Sequence, residues 1–181
     1  MNETELWNSF KSGNQESFTT LYKMHVKVMF RYGMSLVPAS EDFVLDCIHD
    51  VFTELWDKRE RVSTPTSVKF YLIKSLKNRV LHLLKRKEKS SVPFSEEDLE
   101  QLWYDEDEVY IQEGIHDTNP ASLMEHTLQK LSHRQQEALR LRYIEELDFE
   151  QVADIMNVNR QSAQNLVQRA LERLRKLMSI V

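Results

Sequence analysis

The chain has 181 residues, 41% of them hydrophobic and only three of them glycine, which suits one or two small domains of ordered helix and leaves strand-rich folds short of turn residues. The single cysteine, Cys47, excludes an intramolecular disulfide and a cysteine-cluster zinc site. The net charge of −5 is unevenly spread: residues 1–86 carry 13 basic and 10 acidic side chains, residues 87–121 carry 2 and 11, and residues 122–181 carry 9 and 8, so two weakly basic regions flank an acidic connector and any nucleic acid must be bound by local patches.

The start, Met1 to Gln15, lacks a basic segment followed by an apolar run, and no stretch approaches the ~18 uninterrupted apolar residues of a membrane span, so a soluble, cytoplasmic protein is expected. Phe18, Leu21, Tyr22, His25, Met29, Tyr32 and Leu36 recur every three or four residues, which predicts an amphipathic helix ending near Pro38. His25 lies inside that stripe and reads as a packed side chain, not a ligand. Ser40 precedes a second helix whose buried set is Val44, Ile48, Val51, Phe52 and Leu55. Its other face carries Asp46, Asp50, Glu54 and Asp57, an acidic stripe that repels itself at i, i+4 and so invites a basic partner surface, with a solvated face as the plain alternative. After Pro65 a third helix is expected from about Ser67 to Arg86, with Leu72, Leu76, Val80 and Leu83 inward and Lys69, Lys74, Lys77, Arg79, Lys85 and Arg86 making it strongly basic. Phe70, Tyr71 and Asn78 are interleaved, and aromatic faces among cations suit unpaired bases better than a rigid duplex.

Between Lys87 and Ala121 the hydrophobic period is lost and acidic residues cluster from Glu96 to Glu108 around Trp103 and Tyr104, as in a linker. Beyond it, Ser132 with Gln135 three residues on is a capping-box pattern, and Ala138, Leu139, Leu141 and Tyr143 are expected to supply apolar contact before Glu145 and Glu146. Asp148 with Gln151 repeats the signal for a short helix burying Val152 and Ile155, onto which Leu147 is placed to staple. Asn157 tolerates the left-handed conformation that ends a helix sharply, and Asn159 can cap the next helix two residues later, which is the turn length of a helix-turn-helix. In that last helix Ala163, Leu166, Val167, Ala170, Leu171 and Leu174 fall on one face. The opposite face is Gln161, Asn165 and Gln168, flanked by Arg160, Gln164 and Arg169, a set able to read base edges and clamp phosphate.

The run Leu131 to Leu139, with Tyr143, Phe149, Val152, Ala153, Val158, Arg169 to Leu171, Leu174 and Arg175, resembles the promoter-reading C-terminal domain of bacterial RNA polymerase sigma factors, most closely the extracytoplasmic-function (ECF) class. Asp46 to Phe52 through Leu55 and Trp56 resembles the core-polymerase-binding helix of sigma region two, and Tyr71, Leu72, Asn78, Lys85 and Arg86 resemble its promoter-melting helix. His49 stands where the family commonly has glutamine, His82 where it often has aspartate, and Phe70 near a frequent tryptophan. The resemblance implies an all-α protein of two small helical domains joined by an acidic linker: residues 1–86 like region 2, 87–121 the linker, and 122–181 like the region 4 helix-turn-helix. It implies core-polymerase docking by Asp46, His49, Asp50, Glu54 and Asp57. Bases of the minus-ten element would be captured by Arg59, Arg61, Phe70, Tyr71, Lys74, Lys77 and Asn78, and the minus-thirty-five element read by Arg160, Gln161, Gln164, Asn165, Gln168 and Arg169. The implied partners are core RNA polymerase, promoter DNA and an anti-sigma factor, often membrane-tethered. The linker of similar factors threads the polymerase toward its active centre.

An enzyme is disfavoured: the six histidines include no HExxH pair, the glycines form no phosphate loop, and no serine or cysteine sits in a nucleophile setting, so neither catalysis nor a metal or other cofactor is expected. The alternative is a dimeric helix-turn-helix regulator acting without being a polymerase subunit, which has no need of the acidic stripe.

Overall fold

The computed structural model describes residues 2–36, 40–88 and 127–178, as helices and short connections, in a chain that divides into two compact units, 1–91 and 92–181. The residues expected to form the linker lie outside the described residues, Lys87 and Glu88 excepted, and so does Pro38.

Four helices build the first unit. α1 (Glu3–Lys11) opens on a capping box, Asn2 Oδ1 accepting from Glu5 N–H and the Glu5 carboxylate accepting from Asn2 N–H, both at 2.8 Å. The sequence reading assigns no element to these residues, although Asn2 and Glu5 have the cap spacing and Leu6, Trp7 and Phe10 share a face. Trp7 and Phe10 are fully buried. Phe10 stacks on Phe18 at 5.6 Å, and Trp7 meets Tyr71 edge-on at 5.5 Å. Aromatic burial thus bolts this short helix across two longer ones, which its own propensity would not achieve.

α2 (Gln15–Leu36) starts where Asn14 Oδ1 accepts the Ser17 N–H at 2.8 Å. It buries Leu21, His25, Met29, Tyr32 and Leu36, in agreement with the expected stripe, while Phe18 and Tyr22 are half-buried against α3. Gly33 marks a close helix crossing: a Cβ there would stand 2.5 Å from Val44 Cγ1 and 3.4 Å from Leu76 Cδ2. α3 (Glu41–Asp57) is capped by Ser40, as expected, and buries Val44, Ile48, Val51, Phe52 and Leu55 together with Cys47.

α4 (Val68–Glu88) follows Ser67, whose Oγ accepts the Phe70 N–H at 3.2 Å. It packs against both α2 and α3, so its buried face is wider than one stripe. Leu72, Leu76 and Val80 are buried as expected, and Ile73 and Lys77 join them. Lys77 is only 4% exposed, because it lies four residues from Ile73 and three from Val80, on the core side of the helix.

The second unit is built on α5 (His133–Leu139), α6 (Phe149–Met156) and α7 (Arg160–Met178). α5 has the expected Ser132–Gln135 capping box, with the two bonds at 3.3 and 3.2 Å. It runs into one π-helical turn, Arg140–Ile144. The wider turn swings its end away from the core, and Tyr143 and Ile144 are 57% and 52% exposed, so Tyr143 does not supply the core contact expected of it. Leu141 does. The chain then reverses through Glu146 at φ 56°, and Leu147 is buried beside the start of α6.

Candidate nucleic-acid interface

In the first unit, α3 presents the acidic stripe and α4 the basic one, and the two meet. Asp46 and Asp57 are exposed. Asp50 is held from α4: its Oδ2 accepts from Arg79 Nη2 at 2.6 Å and from Nε at 3.0 Å. Glu54 bonds Lys58 one turn on, and that ammonium pulls the Glu54 carboxyl below the ordinary carboxylate value. Four like charges along one helix would cost stability, and these two cations offset part of the repulsion. His49 is exposed, its Nε2 3.2 Å from the Tyr22 hydroxyl and its ring stacked on the phenol.

Between α3 and α4 lies a groove of about 430 Å³, lined by Glu54, Lys58, Tyr71, Asn78, Arg79 and His82 together with the apolar Val51 and Leu55 among others. Tyr71 is half-buried, and burial pushes its phenol above the usual value. Of the other residues assigned to unpaired bases, Arg59 lies over Trp56 at 4.7 Å, Lys74 over Phe70 at 5.9 Å, and Arg61 and Asn78 are exposed. Cations lying on half-exposed rings form a surface on which both phosphate and base faces find partners. Lys77 stands apart from this set, buried inside the unit.

The second unit has helix-turn-helix geometry. Asp148 caps α6 with Gln151 in a reciprocal box, at 2.8 and 3.1 Å. Asn157 ends the helix in the left-handed conformation, φ 53°, and Asn159 Oδ1 accepts the Ser162 N–H at 2.8 Å to start α7. Val152, Ile155, Ala163, Val167 and Ala170 are buried between the helices, with Leu166, Leu171 and Leu174 at the margin. That burial turns the other face of α7 outward: Arg160, Gln161, Asn165, Gln168 and Arg169 are exposed and Gln164 half-buried. Gln161 Nε2 donates to Asn165 Oδ1 at 3.1 Å, Gln168 Nε2 to Glu172 Oε1 at 3.0 Å, and Arg160 pairs with Glu150 of α6 at 2.9 Å. An outward helix of amides and arginines next to a tight turn fits the major groove of duplex DNA.

Residues 122–174 match the family model for sigma-70, region 4. Within the C-terminal unit, that stretch has the pattern of a sigma-70 region 4. Among solved structures, the chain is similar to CnrH in complex with the cytosolic domain of CnrY, with 17% identity, TM-score 0.63, and coverage of 98% of this chain and 97% of that one. It is also similar to the sigma factor RpoE in complex with the anti-sigma factor NepR from Bartonella quintana, with 20% identity, TM-score 0.61, and coverage of 91% and 98%. At these identities the likeness is one of fold, and that fold extends beyond region 4 into the four-helix unit. A comparison with curated protein sequences finds no match.

Two features around region 4 and the first unit escape a reading of the sequence. The Asp50–Arg79 pair joins residues 29 positions apart, and spacing along the chain carries no signal for it. Glu145, which the sequence places at a helix end, is 1% exposed with Oε1 unbonded among the described residues; the π-helical turn before it rotates its side chain inward, and a π turn has no cap pattern to read. Among the described residues no three histidine, cysteine or acidic side chains come together as a metal site, and no helix is long and apolar enough to cross a membrane.

Proposed function

We propose that the protein is an alternative sigma factor of the ECF type, which binds core RNA polymerase and directs initiation at selected promoters. The observation that carries this is region 4 itself: the matched residues fold into a helix-turn-helix whose outward face is amide and arginine. The fold shared with RpoE over 91% of this chain supports extending the reading to the first unit. There, Asp46, His49, Asp50, Glu54 and Asp57 dock on a basic surface of the polymerase. The groove beside them, with Arg59, Arg61, Phe70, Tyr71, Lys74 and Asn78, receives bases of the melted minus-ten element. In region 4, Arg160, Gln161, Gln164, Asn165, Gln168 and Arg169 read duplex at the minus-thirty-five element. The protein selects the promoter in the cytoplasm, and the polymerase performs the chemistry.

RpoE was solved with an anti-sigma factor, and a protein of that kind is the regulatory partner we assign to this chain. The division into residues 1–86, 87–121 and 122–181 follows from the same reading, with the acidic segment as the connector. The test is transcription in vitro from a promoter library with purified core polymerase, with and without the protein. Protein-dependent, promoter-selective transcripts are expected. No transcript, together with a duplex shifted by the protein alone, would replace this reading with that of a dimeric helix-turn-helix regulator.

A further inference from the structure

The outward face of α7 divides by charge. Arg160 is paired with Glu150, and Gln168 donates to the carboxylate of Glu172. Gln161 and Asn165 instead bond each other, Gln161 Nε2 to Asn165 Oδ1 at 3.1 Å, one turn apart and both exposed. They form a neutral pair near the start of the helix, where a recognition helix meets base edges.

Neutral amides add little to phosphate binding, which depends on cations, but they match base edges. A glutamine amide has one carbonyl oxygen and two N–H groups. In this pair Asn165 takes one N–H, and the oxygen and second N–H of Gln161 remain. The oxygen and the N–H syn to it make one acceptor and one donor side by side when Asn165 takes the anti N–H, and that edge is the complement of the N6 donor and N7 acceptor of adenine in the major groove. A free glutamine on an exposed helix must give up rotamer freedom to present that edge. Here the bond to Asn165 gives up part of it beforehand, and both N–H groups and the oxygen of the amide are engaged once the base is bound.

We propose that Gln161 reads an adenine of the upstream promoter element and that Asn165 is a positioning residue that holds its amide in place. The proposal rests on the reading of α7 as the duplex-reading helix and adds to it the base and the division of roles.

The experiment uses holoenzyme assembled from core polymerase and the full chain. Duplexes randomised across the upstream element are selected by wild type, Gln161→Ala and Asn165→Ala, each checked for unchanged helicity. Wild type should select a position fixed as adenine; Gln161→Ala should lose that preference by on the order of tenfold, and Asn165→Ala should weaken it at that position. The double variant should be no worse there than Gln161→Ala alone. In the selected duplex, 7-deazaadenine at that position, which lacks the N7 acceptor, should weaken wild type several-fold and leave Gln161→Ala unaffected. A merely structural role for Asn165 would lower binding to all duplexes alike and would overturn its assignment. An enriched element in which no adenine depends on Gln161 would overturn the proposal while leaving the sigma-factor reading intact; failure to select any upstream element would overturn both.

Discussion

Gly33→Ala is the most direct test of how the first unit holds its two charged faces in place. In an isolated helix this change stabilises by about 0.8–1.0 kcal/mol. At position 33 the new Cβ would lie 2.5 Å from Val44 Cγ1, more than an ångström inside the optimal separation of two carbons. Val44 is fully buried in α3 and, being β-branched, has one strongly preferred rotamer, so it cannot swing away, and α2 must move off α3. Overpacking of this kind costs about 1–3 kcal/mol. Set against the propensity gain, Gly33→Ala should destabilise the unit by roughly 0–2 kcal/mol, with a middle value of about 1 kcal/mol. Val44→Ala alone should cost about 2 kcal/mol for its lost methyls, and the double variant should cost no more than that, since the methyl introduced at position 33 occupies part of the vacated space. Hydrogen exchange of amides in α2 and α3, measured on the full chain, reads the local stability. Gly33→Ala more stable than wild type, or costs of the two substitutions that simply add, would refute the close-crossing argument.

Burial holds the His25 imidazole below its ordinary value of 6.5, outweighing the attraction of Glu3 from α1, while Lys69 of α4 lowers it further. The neutral ring is therefore favoured in the folded unit: stability should be complete above about pH 6.5 and fall as the pH drops below it, because the unfolded chain takes up the proton first. His25→Gln should flatten that part of the urea-midpoint profile; an unchanged profile would show that other groups carry it. Asp148→Ala removes the bond from the Gln151 N–H to Asp148 Oδ1, the N-cap half of a capping box, and should cost region 4 about 1 kcal/mol in thermal unfolding, with no loss counting against the cap. Glu146→Gly should stabilise by up to about 1 kcal/mol, since a non-glycine residue at φ 56° is strained; a lower melting temperature would contradict this. Asp46→Lys with Asp57→Lys alters two exposed carboxylates of the α3 stripe and spares the Asp50–Arg79 and Glu54–Lys58 pairs, so core-polymerase binding should fall more than tenfold with the helices intact. Undiminished binding would sink the docking assignment.

Local rules that act within a few residues were legible in the sequence. The caps at Ser40, Ser132, Asp148 and Asn159 and the inward stripes of α2, α3 and α7 each depend on groups three or four positions apart, and the left-handed Asn157 depends on its own residue type, so all are written in the chain. The same applies to the outward face of α7, because the buried face of an amphipathic helix determines the exposed one. α1 was equally legible through Asn2 and Glu5, but a nine-residue helix is marginal alone, and its aromatic contacts with α2, α3 and α4 help it persist.

What the tertiary structure decided are matters of which helix lies against which. Lys77 has the composition of a surface residue, yet α4 is covered by both α2 and α3, so the wider buried face includes it. Tyr143 has the composition of a core residue, yet a π-helical turn carries it into solvent and brings Glu145 inside. Asp50 belongs to a stripe that reads as unpaired acid until α4 places Arg79 on it. The sequence by itself determined the caps and the inward stripes of α2, α3, α6 and α7, because those follow from hydrogen bonds and hydrophobic periods of short range. Only the packed units decided which charges are paired and which are open to a partner, because a salt bridge between helices depends on distances in space that the order of residues does not contain.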